Sequence, residues 1–375
     1  MFSCPTCNTT LQWGLCLHRC PDCAGPLDFS VQRPAFPLAA IGARPGGMWR
    51  YAEALPQFAA PVSLGECLTP LVPCRIGATD VLLKWEPALP TGSYKDRGSA
   101  MLVSYLHSLG VQEAVEDSSG NAGASLAAYA ARAGIRLKVF CPASASPGKL
   151  LQIRLYGAGL VQVEGPRPRA TEALAEYQTR TGATYASHLW HPLFVEGVKT
   201  MAFEIAEQLG WSAPGIVLCP VGAGSILLGL HKGFTELLAA GVITRLPQLV
   251  AVQAQHVAPL CAAFSQGDTE VARATAPLPT LAEGIALPAP VRGKALLQAV
   301  RESGGSVVAV SEEEIASGVR HFGKAGFCVE PTSAVVWAAV ERLDREGRLT
   351  AEGPVVAVLS GHGLKAAQPI SQLIN

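Results

Sequence analysis

Seven short apolar runs, VLLKW, RLKVF, GLVQV, GIVLC, LVAVQ, SVVAV and PVVAVL, are spread along the chain between residues 81 and 359, with helix-like stretches such as NAGASLAAYAARAG and EGVKTMAFEIAEQLG between them. Strands that alternate with helices predict an α/β fold of parallel-rich sheets flanked by helices. Ser311-Glu312-Glu313-Glu314 adds a capping box that opens a further helix. In such sheets ligands gather at the carboxyl ends of strands, so the loops there are where chemistry is to be sought.

The chain has 375 residues, 49% of them hydrophobic and 15% charged, enough for two well-buried domains. Lysine plus arginine and aspartate plus glutamate both total 29, so no net field recruits nucleic acid or an anionic membrane. Met1-Phe2-Ser3-Cys4 runs straight into cysteines without a basic region or an apolar stretch, and the most apolar run, GIVLCPVGAGSILLGL, is broken by Pro220 and by glycines. This predicts a cytoplasmic protein with no membrane partner. Eleven cysteines then read as reduced thiols rather than as a disulfide framework.

Cys4-Pro-Thr-Cys7 and Cys20-Pro-Asp-Cys23 are two CxxC pairs, and four thiolates fill the tetrahedral shell of a structural zinc with no position left for water. Cys16 and His18 lie inside the loop and could replace one ligand. The segment offers only His18 and Arg19 as cations, which does not support a phosphate-binding role. A Pro- and Gly-rich connector follows, from about residue 30 to 61.

PTGSYKDRGSA places Lys95 between a turn and a helix. Met101, Leu102, Tyr105, Leu106 and Leu109 recur at helical spacing, Gly110 is a stop, and Ser93 can cap the start. A cation in the first turn opposes the helix dipole, a weak hint that Lys95 is more than a surface lysine. The loop Gly222-Ala223-Gly224-Ser225 follows a strand and opens a helix, as a cradle for one phosphate would. Leu227 breaks a dinucleotide fingerprint, and no GK[ST] ends the loop, so neither dinucleotide nor nucleoside triphosphate is indicated. Ser118-Ser119-Gly120-Asn121-Ala122, after Asp117, suits a carboxylate. Ser360 would present a neutral hydroxyl at the end of the last strand, with His362 beside it as a structural histidine. Taken singly, each loop is also an ordinary turn or cap.

Together they are the parts that hold pyridoxal phosphate. Lys95 would carry it covalently, Gly222, Ala223, Gly224 and Ser225 would grip its phosphate, Asn121 would meet the ring hydroxyl and Ser360 the ring nitrogen. Ser118, Ser119, Gly120, Asn121 and Ala122 would take the carboxylate of an amino-acid substrate.

PTGSYKDRG, SSGNAGAS, PVGAGS, EPTSA and SGHGLK, in this order, resemble the threonine synthase branch of the fold-type II pyridoxal-phosphate enzymes, the tryptophan synthase β-like superfamily. The likeness runs from about residue 64 to 365, and some members carry a similar CxxC pair. It implies a zinc ribbon over residues 1–30, a large cofactor domain from 31–99 and 191–375, and a small mobile substrate domain from 100–190. It further implies a carbon–oxygen lyase: Lys95 removes the α-proton and a side-chain leaving group departs, with elimination or replacement following. A threonine or serine ammonia-lyase and a cysteate synthase-like replacement enzyme are alternatives, as is a non-catalytic ligand-binding or interaction protein. A homodimer is usual in the family. Where threonine synthases typically read NSxNPxRLEGQKT, this chain reads HLWHPLFVEGVKT: His188 replaces Asn, Leu189 Ser and Phe194 Arg. Losing a guanidinium and a hydroxyl costs a buried phosphate on the order of several kcal/mol, so O-phosphohomoserine is not expected to be the substrate. Trp190, His191 and Phe194 would suit a less charged side chain. Leu89 for the usual Asn and Ala366 for the usual Asp are further departures.

Overall fold

The computed structural model describes residues 1–375 except 16, 33, 146, 166 and 375. The chain divides into two compact units, one of Met1–Ala35, Trp49–Glu66 and Lys95–Val198, the other of Phe36–Met48, Cys67–Tyr94 and Lys199–Asn375. Both are α/β, as the alternating pattern requires.

The first unit opens with β1 (Phe2–Ser3), β2 (Thr10–Leu11) and β3 (Asp28–Phe29), a small antiparallel sheet in the order β2-β1-β3. Residue 16, one of the alternative metal ligands, lies outside the described residues. In the second unit, β4 (Leu71–Ile76) turns back at Gly77, whose φ of +60° favours glycine, and pairs antiparallel with β5 (Thr79–Trp85). The first unit then contributes a wholly parallel sheet, ordered β8-β7-β6-β9, from β6 (Glu113–Glu116), β7 (Arg136–Pro142), β8 (Gly159–Val163) and β9 (Thr184–Tyr185). The second completes a six-stranded sheet, ordered β12-β11-β10-β13-β5-β4, with β10 (Ile216–Pro220), β11 (Gln248–Ala254), β12 (Ser306–Val310) and β13 (Val355–Leu359). All its pairings except β4 with β5 are parallel.

Each of the seven apolar runs is a strand. β10 and β13 are buried at every residue, which explains why they read as continuous apolar runs rather than alternating ones. β4, β6 and β9 gave no such run: EAVE and the two-residue β9 are too short and too polar. The connector is also more ordered than its composition predicts. It holds a helix at Leu38–Ala43 and a 3-10 segment at Met48–Ala54, because Ile41, Met48 and Tyr51 are fully buried.

The helix Lys95–Ser108 ends ahead of Gly110, whose φ is +71°, and it packs on the helices Asn121–Ala133 and Pro192–Val198. That packing groups Lys95 with the first unit, whereas the expected boundary at residue 99 placed it with the phosphate loop. Ser93 does not cap this helix: its buried hydroxyl finds no hydrogen-bond partner among the described residues. The expected capping box is formed, with Glu314 N donating to Ser311 Oγ and Ser311 N to Glu314 Oε2. No helix among the described residues is long and apolar enough to cross a membrane.

Candidate active site

In the second unit, β10 delivers the chain to Gly222-Ala223-Gly224 and the helix Ser225–Ala239. Gly224 has φ +83°, and a Cβ there would lie 2.1 Å from Leu296 Cδ2. A Cβ on Gly222 would lie 2.6 Å from Ile285 Cα. Packing therefore demands glycine at both positions, and conformation demands it at Gly224 as well. No side chain caps this helix and no acidic residue stands in its first turn. Its leading N–H groups point out of the helix start, where a dipole favours an anion. Ser225 Oγ adds a hydroxyl and lies 2.9 Å from Tyr94 Oη. Backbone donors, two hydroxyls and an absence of acid in that turn form a donor set that fits the phosphate of pyridoxal phosphate. Gly224→Ala is expected to destabilise the protein by about 2–4 kcal/mol, through an unfavourable φ and overpacking, and to weaken cofactor binding; urea unfolding and cofactor titration check both.

Ser360 stands just past the end of β13 and is 3% exposed. Ser333, in the first turn of the helix Pro331–Arg345, accepts hydrogen bonds from Ser360 N at 2.9 Å and Gly361 N at 3.1 Å, and its Oγ lies 3.1 Å from Ser360 Oγ. Tyr94 N donates to Ser360 O at 3.0 Å. Tyr94 and Ser333 carry no role in the sequence reading. Both sit inside the quoted motifs PTGSYKDRG and EPTSA, and only the fold shows what their hydroxyls hold. His362 is structural, as expected: its Nδ1 accepts from Leu364 N at 3.2 Å.

The first unit carries the remaining residues. Lys95 opens its helix, and its Nζ lies 5.5 Å from the centroid of the Phe194 ring. Phe194 is 1% exposed, and its ring fills the space beside Gly98, where a Cβ would come within 2.5 Å of it. At this position the structure puts an apolar face near the lysine. Of the three residues expected to suit an apolar side chain, Phe194 has its ring beside Lys95. His191 packs near Phe2 and Tyr105, and the Arg19 guanidinium covers Trp190.

Ser118, Ser119 and Gly120 form the loop between β6 and the helix Asn121–Ala133, which starts at Asn121 and continues through Ala122. Gly120 precedes the helix with no side-chain cap, leaving N–H groups for an anion. Gly123 must be glycine, since a Cβ would fall 1.9 Å from Ser118 O. Asp117 braces the loop, accepting from Thr171 Oγ1 at 2.7 Å and Tyr185 Oη at 2.9 Å. One residue earlier, Glu116 meets His188: its Oε1 lies 2.7 Å from His188 Nδ1. Burial pushes the Glu116 carboxyl well above the ordinary range and His188 well below it. Sequence reasoning singled out His188 but missed Glu116, which looks like an ordinary strand-end carboxylate.

The four cysteines converge. Their sulfurs all lie within 4.8 Å of one another, with Cys4 and Cys23 at 3.4 Å and Cys7 and Cys20 at 3.6 Å. Tetrahedral zinc with Zn–S near 2.3 Å requires sulfurs about 3.8 Å apart, so the set suits that ion. His18 lies outside it, against the Tyr185 ring.

A lysine at a helix start, a glycine cradle and a neutral serine on parallel α/β units define the class of fold that handles pyridoxal phosphate. The chain matches the family described as pyridoxal-phosphate dependent enzyme over residues 62–361, and it belongs to that family. It is 34% identical to the threonine synthase of Methanocaldococcus jannaschii, covering 96% of this chain and 92% of that one. With the threonine synthase of Methanosarcina acetivorans it is 32% identical, covering 98% and 92%. Among solved structures it is similar to a threonine deaminase of T.th., with a TM-score of 0.68 at 27% identity over 79% of this chain and 92% of that one. A fungal L-serine ammonia-lyase from Rhizomucor miehei, at 23% identity over 82% and 97%, shares the fold with a TM-score of 0.70.

Proposed function

We propose that the chain is a threonine synthase-like lyase that removes the α-proton of an amino acid and expels a leaving group from its side chain. The observation that carries this reading is Tyr94. Its hydroxyl joins Ser225 of the phosphate loop and its N–H joins Ser360, and Lys95 is the next residue in the chain. Tyr94 thus ties together the phosphate end and the ring-nitrogen end of the proposed cofactor site within the second unit, and the lysine follows it in sequence.

Pyridoxal phosphate, when bound, supplies the electron sink that acidifies the substrate Cα–H. The Gly222–Ser225 backbone donors and the Ser225 hydroxyl would hold its phosphate, and Asn121 its ring hydroxyl. Ser360, kept neutral and fixed by Ser333, would face the ring nitrogen without stabilising a proton there, which favours elimination over transamination. The donors of the Ser118–Ala122 loop would take the substrate carboxylate. The Lys95 amine would move the proton at Cα. Phe194 offers no guanidinium at the position where threonine synthases typically carry one, which supports a substrate other than O-phosphohomoserine and makes an ammonia-lyase acting on threonine or serine the second reading. Product analysis of the holoenzyme separates them. Phosphate and threonine from O-phosphohomoserine would favour the synthase, keto acid and ammonia from threonine or serine the ammonia-lyase, and no product from any of them would refute the lyase.

The four cysteines are proposed to hold a structural zinc. Around them, Phe2 and Trp13 pack on Tyr105, whose hydroxyl donates to Leu15 O at 2.8 Å. Removing the metal is therefore expected to release one zinc per chain, expose the first thirty or so residues to protease and lower the melting temperature, while the cofactor stays bound. Metal analysis and limited proteolysis test this. A cytoplasmic homodimer without nucleic-acid or membrane partners completes the proposal, checked by light scattering and cell fractionation.

A further inference from the structure

We infer that Glu116 and His188 share one proton and form a neutral hydrogen-bonding pair near Lys95 that accepts amino acids whose side chain ends in a hydroxyl and disfavours those ending in a phosphate. The inference deepens the lyase reading and rests on it.

The pair is built by the sheet. β6 and β9 are hydrogen-bonded neighbours, with Val115 opposite Tyr185, so their carboxyl ends bring Glu116 and His188 together. The Glu116 side chain is fully buried, and its Oε2 has no hydrogen-bond partner among the described residues. The His188 side chain keeps 10% of its surface accessible. Phe194 adjoins both His188, at 6.0 Å between ring centroids, and Lys95.

Holding both groups charged would mean desolvating a carboxylate and an imidazolium together. Burial opposes each charge. Asp117 further discourages a second negative charge on Glu116, and Arg167 and Lys95 further discourage a positive one on His188, while the same two cations only partly offset the effect on Glu116. Tyr185, a further titratable neighbour, is kept protonated by burial and by the charge of Asp117, to which it donates. The proton therefore resides on Glu116, which donates to His188 Nδ1, and the imidazole keeps its remaining proton on Nε2. The pair offers one neutral N–H donor on the partly accessible imidazole, beside an aromatic face, and one buried acceptor oxygen without a partner among the described residues. A hydroxyl matches that combination. A phosphate dianion needs several donors in direct contact, and the pair itself would offer it one N–H, a lone pair and a ring face, with Lys95 and Arg167 acting on the pair through their charge.

The test titrates the holoenzyme with serine, threonine, homoserine, O-phosphoserine and O-phosphohomoserine, following the cofactor's absorbance rather than turnover. The hydroxyl amino acids are expected to bind at least tenfold tighter than their phosphorylated counterparts, and His188→Asn or Glu116→Gln to shrink that ratio. The infrared carbonyl band of a protonated carboxyl at neutral pH is expected in the wild type and absent from Glu116→Gln. A wild-type ratio below tenfold, or a preference for the phosphorylated compounds, overturns the inference without any variant. If amino acids bind and react without that preference, only the pair's role falls. If none perturbs a protein that binds the cofactor, the lyase reading falls as well.

Discussion

A Lys95→Ala variant is expected to lose the visible absorbance that marks a covalently held cofactor and to lose turnover by about 10³-fold or more, because one amine is proposed both to anchor the cofactor and to move the α-proton. Alanine suits a helix start, so the variant should fold with an unchanged far-ultraviolet spectrum. Removing the amine also withdraws a positive charge that acts on both Glu116 and His188. Absorbance spectra of the purified protein before and after adding pyridoxal phosphate check the first loss, and assays for threonine, phosphate and keto acid check the second. A variant that keeps its band and its turnover would move the chemistry away from Lys95.

The largest stability effect is expected at Lys84. Its ammonium is fully buried in the second unit, 2.7 Å from Glu204 Oε2, 2.7 Å from Thr69 O and 2.9 Å from Gln208 Oε1. Glu204 Oε2 also accepts from Thr69 N at 3.2 Å, and Thr69 Oγ1 donates to Glu86 Oε1 at 2.7 Å. Lys84→Met leaves the Glu204 carboxylate buried without its cation, a loss of about 3–5 kcal/mol. The double variant Lys84→Met with Glu204→Gln should recover a good part of that, since the uncompensated charge is gone. Urea denaturation of both variants measures the difference, and a single variant within about 1 kcal/mol of wild type, an order-of-magnitude threshold for a structural ion pair, would show the network to be dispensable.

Lys84 also shows where sequence reading stops. VLLKW was legible as a strand because its apolar residues outweigh one lysine, yet nothing local says that the lysine points into the core. Its side-chain partners Glu204 and Gln208 lie 120 and 124 residues away in sequence. The same limit hid Glu116. A carboxylate closing a short strand usually faces water, and only the pairing of β6 with β9 sets a histidine 72 residues later against it. Nor does residue type say that His191 packs near Phe2 and that the Arg19 guanidinium covers Trp190.

What the sequence determined by itself is local. Strand runs, capped helices and glycine loops follow from backbone sterics and from the period of apolar residues, and the motif order was enough to indicate the family. The four-cysteine cluster was legible for a similar reason, since CxxC spacing holds two sulfurs on one turn. The tertiary structure decided which side chains answer to one another: Tyr94 to Ser225 and Ser360, Ser333 to Ser360, Glu116 to His188, and Phe194 to Gly98 and Lys95. The Glu116–His188 meeting depends on parallel strands whose ends are adjacent in space, and the Phe194–Gly98 contact on the packing of two helices. Desolvation then sets the charge of the groups so assembled, and desolvation is a property of the packed interior that no stretch of sequence carries alone.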